Sequence, residues 1–374
     1  MSKILSIAWY KVLPPKYGGQ KGIALFTKYL SQFYDIVFLC SKNNEQVSDM
    51  PFEIKAALPG SRSQFLNPFC WRKIIRTAKK IQPSFIIIEH PYHGIAGYLA
   101  AKKTRAKLVV HSHNIESQRF KELRKWWWFL LLFYERWTFR KADLVLFKTE
   151  NDLQWAIKHF GIERNKSFVV PYGIEKNTPV DKIKAKEIIC NKYGLSGKTK
   201  ILLFAGTLDY KPNTEAAELI FKEIAPRLSK QNDNPFKILI CGRNQLTKSR
   251  YLRQLKHGDV LYIGEVEDIE NYFASADVFL NPVRAGGGIQ SKIIEALKYD
   301  LNVVCFNEQA DEQLIRLSRE KIFTTISGDH DGMVQNILSA LEKNSPTPAG
   351  FFENYDWSNI VRRLQEKLKE SFVS

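Results

Sequence analysis

Val278-Phe-Leu-Asn-Pro-Val-Arg-Ala-Gly-Gly-Gly-Ile-Gln-Ser-Lys-Ile-Ile-Glu-Ala-Leu297 reads as an apolar strand, three consecutive glycines and an amphipathic helix. Strand, tight turn and helix in that order form the unit that builds a parallel sheet. The turn is also shaped to hold a nucleoside diphosphate. Gly286, Gly287 and Gly288 permit positive φ and leave room for a ligand to touch the main chain, and the unpaired amides opening the helix would face its phosphates. Lys292 would neutralise phosphate charge. Glu295, a turn further on, can accept hydrogen bonds from both ribose hydroxyls and would repel a bare phosphate, so the order expected is phosphate first, ribose second.

Outward from this stretch the same alternation recurs. Upstream lie strands at Lys200–Ala205, Phe236–Cys241 and Val260–Ile263, with helices expected at Asn213–Leu228, capped by Asn213, and at Ile269–Ala274; a strand at Val303–Phe306 follows. The N-terminal half repeats the pattern with strands at Ile4–Ala8, Ile36–Cys40, Phe85–Glu89, Leu108–His111, Leu144–Phe147 and Phe168–Val170. Helices are expected between them at Gln20–Phe33, Trp71–Ile81, Gly94–Lys103, Ser117–Lys141 and Asn151–Phe160. Continuous Val/Ile/Leu strands separated by helices imply an α/β protein of two doubly wound parallel sheets. The polar, lysine-rich stretch after Val169-Val-Pro-Tyr-Gly-Ile174 places the boundary near Tyr172, giving domains 1–172 and 173–355. The last helix, from Trp357, carries Ile360, Leu364 and Leu368 at a spacing of four and needs an apolar groove to dock in. Ligands in such sheets bind beyond the carboxyl ends of the strands, which for two facing domains is the cleft between them.

At 374 residues, 44% apolar and 25% charged, the chain is globular and longer than one core usually supports. No secretory segment precedes the first strand and no apolar run reaches the ~20 residues of a spanning helix, so a cytoplasmic location is expected. Cys40, Cys70, Cys190, Cys241 and Cys305 are odd in number and scattered, which suits reduced core thiols and neither a metal site nor a disulfide framework. The net charge of +17 is lopsided. Residues 1–175 hold 28 Lys and Arg against 13 Asp and Glu, and the remainder 28 against 26. A basic half beside a neutral half suggests a polyanionic surface as partner.

Aromatic placement separates nucleic acid from membrane. Arg124-Lys-Trp-Trp-Trp-Phe-Leu-Leu-Leu-Phe-Tyr-Glu-Arg136 is too short to span a bilayer and is flanked by Arg119, Lys121, Arg140 and Lys141, the composition of an interfacial helix. Three adjacent tryptophans cannot share one helix side, so Trp126, Trp127 and Trp128, with Arg124 and Lys125, are expected to supply membrane contact. Leu123, Leu130, Phe133 and Trp137 recur at helical spacing and are expected to include the core face. A weaker patch of the same kind is Phe69-Cys-Trp-Arg-Lys73 with Arg76, Lys79 and Lys80. Nucleic acid is disfavoured, because aromatic platforms for bases sit on exposed strands and these sit in a leucine run.

Several segments together resemble the retaining glycosyltransferases of family 4, also described as group 1. They are Phe204-Ala-Gly-Thr-Leu-Asp-Tyr-Lys-Pro-Asn213, Cys241-Gly-Arg243, Tyr262-Ile-Gly-Glu-Val266, Ala276-Asp-Val-Phe-Leu-Asn-Pro282 and the Gly-rich turn to Glu295. In the first half Tyr17-Gly-Gly19, His111-Ser-His-Asn-Ile-Glu116, Lys141-Ala-Asp143 and Val170-Pro-Tyr-Gly-Ile174 are the matching pieces. The resemblance implies a GT-B architecture, with the donor on the C-terminal domain, the acceptor on the N-terminal domain, and a final helix, 356–374, crossing back to the first. It implies sugar transfer with retention of configuration and without a metal, from a UDP- or GDP-linked nucleotide sugar. By resemblance, Gly287, Gly288, Ile289 and Gln290 would cradle the diphosphate with Lys292 and Arg284 near it, and Glu295 would bind ribose. The main chain at Val266 would read the base, with Arg243 on the neighbouring strand end, and Gly18 and Gly19 would let the first loop approach phosphates or acceptor. His113 matches the active-site histidine, although His111 faces the same way and is the other candidate.

Two positions depart from the family pattern. The first of its two glutamates, eight positions before Glu295, is replaced by Gly287, and Thr207 stands where many members carry a phosphate-binding arginine, for which Lys211 is the available substitute. Asp329-His-Asp331 has the form of a metal-binding motif but lies in a Gly-flanked segment and reads as a turn. The expected function is transfer to a glycan or polyprenyl-linked acceptor at the inner face of the cell membrane, with a sugar-nucleotide epimerase or an inactive partner subunit as alternatives.

Overall fold

The computed structural model of the chain describes residues 2–176, 180–284 and 291–372. They form two compact units, Met1–Gly173 with Tyr355–Ser374, and Ile174–Asn354.

The first unit contains β1 (Lys3–Ala8), α1 (Gly18–Leu30), β2 (Asp35–Ser41), β3 (Glu53–Leu58), α2 (Pro68–Ile81), β4 (Phe85–Glu89) and α3 (Gly94–Thr104). It continues with β5 (Lys107–His111), α4 (Glu116–Glu122), α5 (Trp128–Lys141), β6 (Leu144–Phe147), α6 (Glu150–Phe160) and β7 (Ser167–Val169). All seven strands are parallel, in the order β3-β2-β1-β4-β5-β6-β7. Alternate strand residues feed two cores: Leu5, Ile7, Ile86, Ile88 and Val110 face α2, α3, α5 and α6, while Ile4, Ile87, Val109 and Leu146 face α1. The strand order reverses between β1 and β4, so the carboxyl ends of these strands border the natural ligand crevice of the sheet.

The second unit contains α7 (Lys182–Tyr193), β8 (Lys200–Ala205), α8 (Lys211–Leu219), α9 (Ala225–Gln231), β9 (Phe236–Cys241), β10 (Val260–Gly264) and α10 (Glu270–Ser275). After it come β11 (Val278–Asn281), α11 (Ser291–Lys298), β12 (Asn302–Phe306), α12 (Glu312–Ser318), β13 (Ile322–Thr325), α13 (His330–Glu342) and α14 (Ala349–Tyr355). Its strands are also parallel, in the order β10-β9-β8-β11-β12-β13, reversing between β8 and β11. At the carboxyl edge β8 and β9 approach so closely that a Cβ at Gly242 would lie 1.8 Å from the Gly206 carbonyl oxygen. The last helix, α15 (Trp357–Phe372), buries Trp357, Ile360, Val361, Leu364 and Leu368 in the α1-side core of the first unit. Gly173 is the contact that admits it, since a Cβ there would sit 2.4 Å from the Trp357 ring.

Three local expectations are corrected. The single helix expected over Ser117–Lys141 is two, broken where Arg124 takes a left-handed φ of 52°. Helix α8 starts at Lys211 with Tyr210 as its cap, and Asn213 lies inside it, its Nδ2 donating to the Thr207 carbonyl at 2.9 Å. Helix α7 and strand β3 arise from segments whose lysine-rich or short mixed pattern carries little periodicity.

Candidate active site

In the first unit the strand register gathers charge at one edge. Glu89, last in β4, is paired in register with His111, last in β5, and His111 in turn with Leu146 of β6, two residues before Lys148. Side chains two apart share a face, so Glu89, His111 and Lys148 all point toward α1 and α15; His111 rests on Phe26 at a centroid distance of 4.4 Å, and the Lys148 ammonium lies 6.0 Å from the Trp357 ring. Glu89 Oε2 is 2.7 Å from His113 Nε2 in a hydrogen bond, and 2.9 Å from His111 Nδ1, where the alignment of a bond is lacking. The rings of His90, His113 and His111 form a column with successive centroids 4.4 Å apart. His90 holds φ at 68°, a strained value for a residue with a side chain, at the mouth of this column.

Charge within the cluster is set by burial. Desolvation, reinforced by neighbouring imidazoles and Lys148, holds both His111 and His113 well below the ordinary histidine range, so both rings are neutral near pH 7. Burial also lowers Lys148 to about 7, against the pull of Glu89. Beside the column, Glu116 accepts from Tyr92 Oη at 2.8 Å and pairs with Arg119 at 3.2 Å. Burial raises this carboxyl, but His90, Arg119 and Tyr92 outweigh it and hold it at about 2. Beneath α4, Glu135 accepts from the Glu116 N–H at 2.8 Å, the Ser117 N–H at 3.0 Å and the Ser117 hydroxyl at 2.6 Å. Glu89 Oε1, Lys148 Nζ and His111 Nε2 are buried without hydrogen-bond partners. Such a concentration of unmatched polar atoms is rare in a structural core and marks a place built for chemistry. The donor atoms of Glu89, His111 and His113 lie within 4.8 Å of one another, a number and spacing that would suit a cation. Lys148 stands close enough to Glu89 for that carboxylate to favour its charged form, against the burial that lowers it.

In the second unit β11 ends at Asn281, and Arg284 follows, its Nη2 2.9 Å from His330 Nε2. Gly286, Gly287, Gly288, Ile289 and Gln290, the expected diphosphate cradle, lie outside the described residues. Beyond them Lys292 and Glu295 of α11 form an ion pair with each other at 2.5 Å, and the Glu295 side chain is only 15% exposed. Arg243 pairs with Asp209 at 3.0 Å, and Asp209 also accepts from the Gln245 and Leu246 amides at 2.8 Å each. Lys211 is exposed and pairs loosely with Glu215 at 3.4 Å, and Val266 is half-buried just past β10.

The sequence matches the family described as Glycosyltransferase Family 4 over residues 18–177 and that described as Glycosyl transferases group 1 over residues 199–343. The chain belongs to glycosyltransferase family 4, group 1. Similar solved structures include a glycosyltransferase from Rickettsia africae, 17% identical, with a TM-score of 0.73 over 100% of this chain and 99% of that one. Sucrose-phosphate synthase from Thermosynechococcus elongatus is 13% identical, with a TM-score of 0.75 over 100% and 99%. HepE from Anabaena, in complex with UDP and glucose, is 16% identical, with a TM-score of 0.70 over 99% and 100%. At these identities the likeness shows the fold, which is GT-B. No curated protein matches the chain in sequence.

For this glycosyltransferase the sequence pattern singles out His113 and misses Glu89 and Lys148, whose only signal is a charge ending an apolar strand. Gly18 and Gly19 open α1 and do not sit in a loose loop; Gln20 Oε1 accepts from the Lys16 and Tyr17 amides at 2.8 and 3.2 Å. Asp329 is a helix cap, accepting from Gly332 N at 2.8 Å, and Asp331 pairs with Arg227 at 3.0 Å, as a turn reading requires.

The aromatic segment is turned around relative to expectation. Trp126, Arg124 and Lys125 are exposed, but Trp127 is half-buried against Phe120 at 4.6 Å and Trp128 lies under the Lys121 ammonium at 4.9 Å. Helix α5 buries Leu131, Glu135, Thr138 and Phe139, while Leu123, Phe129, Leu130 and Phe133, three of them expected in the core face, are exposed. Further along the same face, Phe133, Arg136, Trp137, Arg140 and Lys141 line an open depression of about 610 Å³. The reason is Glu135: the amides and hydroxyl at the start of α4 hold this carboxylate inward, and the apolar stripe must face out. Among the described residues no helix is long and apolar enough to cross a membrane.

Proposed function

We propose that this glycosyltransferase moves a sugar from a UDP- or GDP-linked donor, with retention of configuration and without a metal, to a glycan or polyprenyl-linked acceptor. It would do so in cell-surface polysaccharide synthesis, as a peripheral protein on the inner face of the membrane. One observation carries the donor reading: where strand order reverses in the second unit, β11 leads to α11, whose Lys292 and Glu295 stand side by side and largely sheltered. Such a pair suits a ligand that is anionic at one end and bears a vicinal diol next to it. The Lys292 ammonium exchanges the carboxylate for a phosphate oxygen, and the released Glu295 accepts from the ribose hydroxyls. As the glycosidic bond breaks, charge grows on the departing diphosphate, and the cation and main-chain amides stabilise it in the role a metal fills elsewhere. The similar HepE structures from Anabaena in complex with UDP, with UDP and glucose, and with UDP-glucose support this donor class.

His113, the middle ring of the imidazole column, beneath His90 at its mouth, is the active-site histidine in this reading, where it contacts a sugar hydroxyl. The outward apolar stripe of α5, ending in Arg136, Arg140 and Lys141, supports an anionic membrane as the place of the acceptor. The test is product analysis with UDP-, GDP- and ADP-sugars and a lipid-linked glycan acceptor. The expected result is sugar on the acceptor, free nucleoside diphosphate, retained anomeric configuration by NMR, and no loss on chelation. Conversion of the donor sugar without transfer would replace the reading with an epimerase, and no turnover of any donor would remove it.

A further inference from the structure

Glu89, His111 and His113 bring three metal-ligating side chains to the ends of two neighbouring strands, and a donor atom from each lies within 4.8 Å of the other two. Glu89 Oε2 serves both rings, 2.7 Å from His113 Nε2 and 2.9 Å from His111 Nδ1. Tetrahedral zinc, with bonds of ~2.0–2.2 Å, holds its donors about 3.4 Å apart, so a shift of roughly half an ångström per donor would admit the ion. His111 is wholly buried, yet neither of its ring nitrogens makes a hydrogen bond, and Glu89 Oε1 is buried without a partner as well. Polar atoms sealed in a core and left unmet are costly, and a bound ion is one of the few things that removes the cost. Two imidazoles and a carboxylate are the donors that zinc and its neighbours in the first transition row take, whereas magnesium and calcium take oxygen. Binding requires no particular protonation beforehand, because a dication displaces protons from its ligands. His90, above His113 in the column, faces Glu116 at 3.4 Å and is left out of the donor set. Lys148, beside the same Glu89 carboxylate, opposes a dication and weakens the site without removing a donor.

We propose that Glu89, His111 and His113 form a binding site for a divalent ion of the zinc class, with a fourth position left for water or a ligand. The site goes beyond sugar transfer, for which no metal is needed, and would act on it as a brake. An ion on Nε2 fixes the His113 ring and withdraws it from the substrate, so zinc would slow transfer and a chelator would restore it. That consequence rests on His113 as the active-site histidine; the metal site itself does not.

Cobalt(II) reads the site by colour in the wild-type protein. Titration with CoCl2 at pH 7 should saturate at one ion per chain, with the strong visible absorption of a four- or five-coordinate ion, and excess MgCl2 should not displace it. X-ray absorption of the zinc-loaded protein should show nitrogen and oxygen neighbours, two of them imidazoles. His111→Gln, shown to be folded by a thermal melt, should weaken the ion by more than the ~10–100-fold that loss of an outer-shell partner costs. Should that variant not fold, His113→Asn takes its place with the same expectation. No cobalt bound by the wild type, sulfur neighbours from the buried cysteines, or a folded His111→Gln or His113→Asn that binds as tightly as wild type overturns the proposal. Transfer by the wild type should fall at zinc concentrations that fill the site and recover on chelation. Zinc bound through the two imidazoles with transfer unchanged removes His113 from the active site and leaves the metal site standing.

Discussion

Helix α5 allows the membrane proposal to be put as a partition coefficient. Trp126, Phe129, Leu130 and Phe133 are 76%, 41%, 55% and 66% exposed, equivalent to roughly 2 to 2.5 fully exposed large side chains at ~1.5–3 kcal/mol each. An interfacial helix immerses only part of that surface, and half of it leaves ~2–4 kcal/mol, a factor of ~30–1,000 in partition. Arg136, Arg140 and Lys141 add ~1 kcal/mol each, and only on anionic lipid. Replacing the four apolar residues with serine should therefore cut recovery in vesicle flotation by at least ~30-fold on both anionic and neutral vesicles. Replacing the three cations with glutamine should weaken binding to phosphatidylglycerol vesicles by ~100-fold and leave neutral vesicles unaffected. All seven positions lie on the outer side of α5 or just before it, so thermal melts should stay within a few degrees of wild type. Equal flotation of folded wild type and the serine variant would refute the reasoning, because the outward stripe would then bind no lipid.

Three further outcomes follow from the packing and the buried charges. Gly173→Ala forces a methyl group to within 2.4 Å of the Trp357 ring and should destabilise the first unit by ~1–3 kcal/mol or more in urea melts; unchanged stability would mean α15 is not seated there. His93 is buried without hydrogen bonds and its pKa is lowered by desolvation to about 4. The unfolded chain therefore binds the proton first as pH falls below ~6.5, and ~3 kcal/mol should be lost between there and pH 4, a slope that His93→Leu removes. Glu135 shows the opposite sign: burial raises it to about 8, so its proton is held more tightly when folded, and stability should fall as pH rises from ~4.5 toward 8. Urea melts at pH 5 and pH 8 should show this loss in wild type and a smaller one in Glu135→Gln.

The strands were legible because a strand buried on both faces is a nearly unbroken apolar run: Phe85–Glu89, Leu144–Phe147, Lys200–Ala205, Phe236–Cys241 and Val278–Asn281 appear in the structure with the bounds read from the sequence. Edge and surface elements were not. Glu53–Leu58 alternates too weakly to register, and Lys182–Tyr193 looks like a solvated lysine stretch. Periodicity showed that α5 has an apolar stripe but not which way it faces, because the deciding contact is between Glu135 and the amides of a different helix. The site divides in the same manner. His113 stands in a recognisable local motif, but Glu89 and Lys148 acquire meaning only when three strands align them in register. Arg243 and Lys292 read as ligand cations and Glu295 as a ribose acceptor, and the structure adds the pairing of Arg243 with Asp209 and of Lys292 with Glu295.

Isothermal titration of UDP- and GDP-sugars into wild type, Glu295→Ala and Lys292→Ala tests the donor site most directly. One donor should bind the wild type, with Glu295→Ala weakening the nucleotide sugar and the free nucleoside alike, and Lys292→Ala weakening only ligands that carry the diphosphate. Equal affinity of all three proteins for that donor would contradict the assignment of α11 as the place where the activated sugar is held.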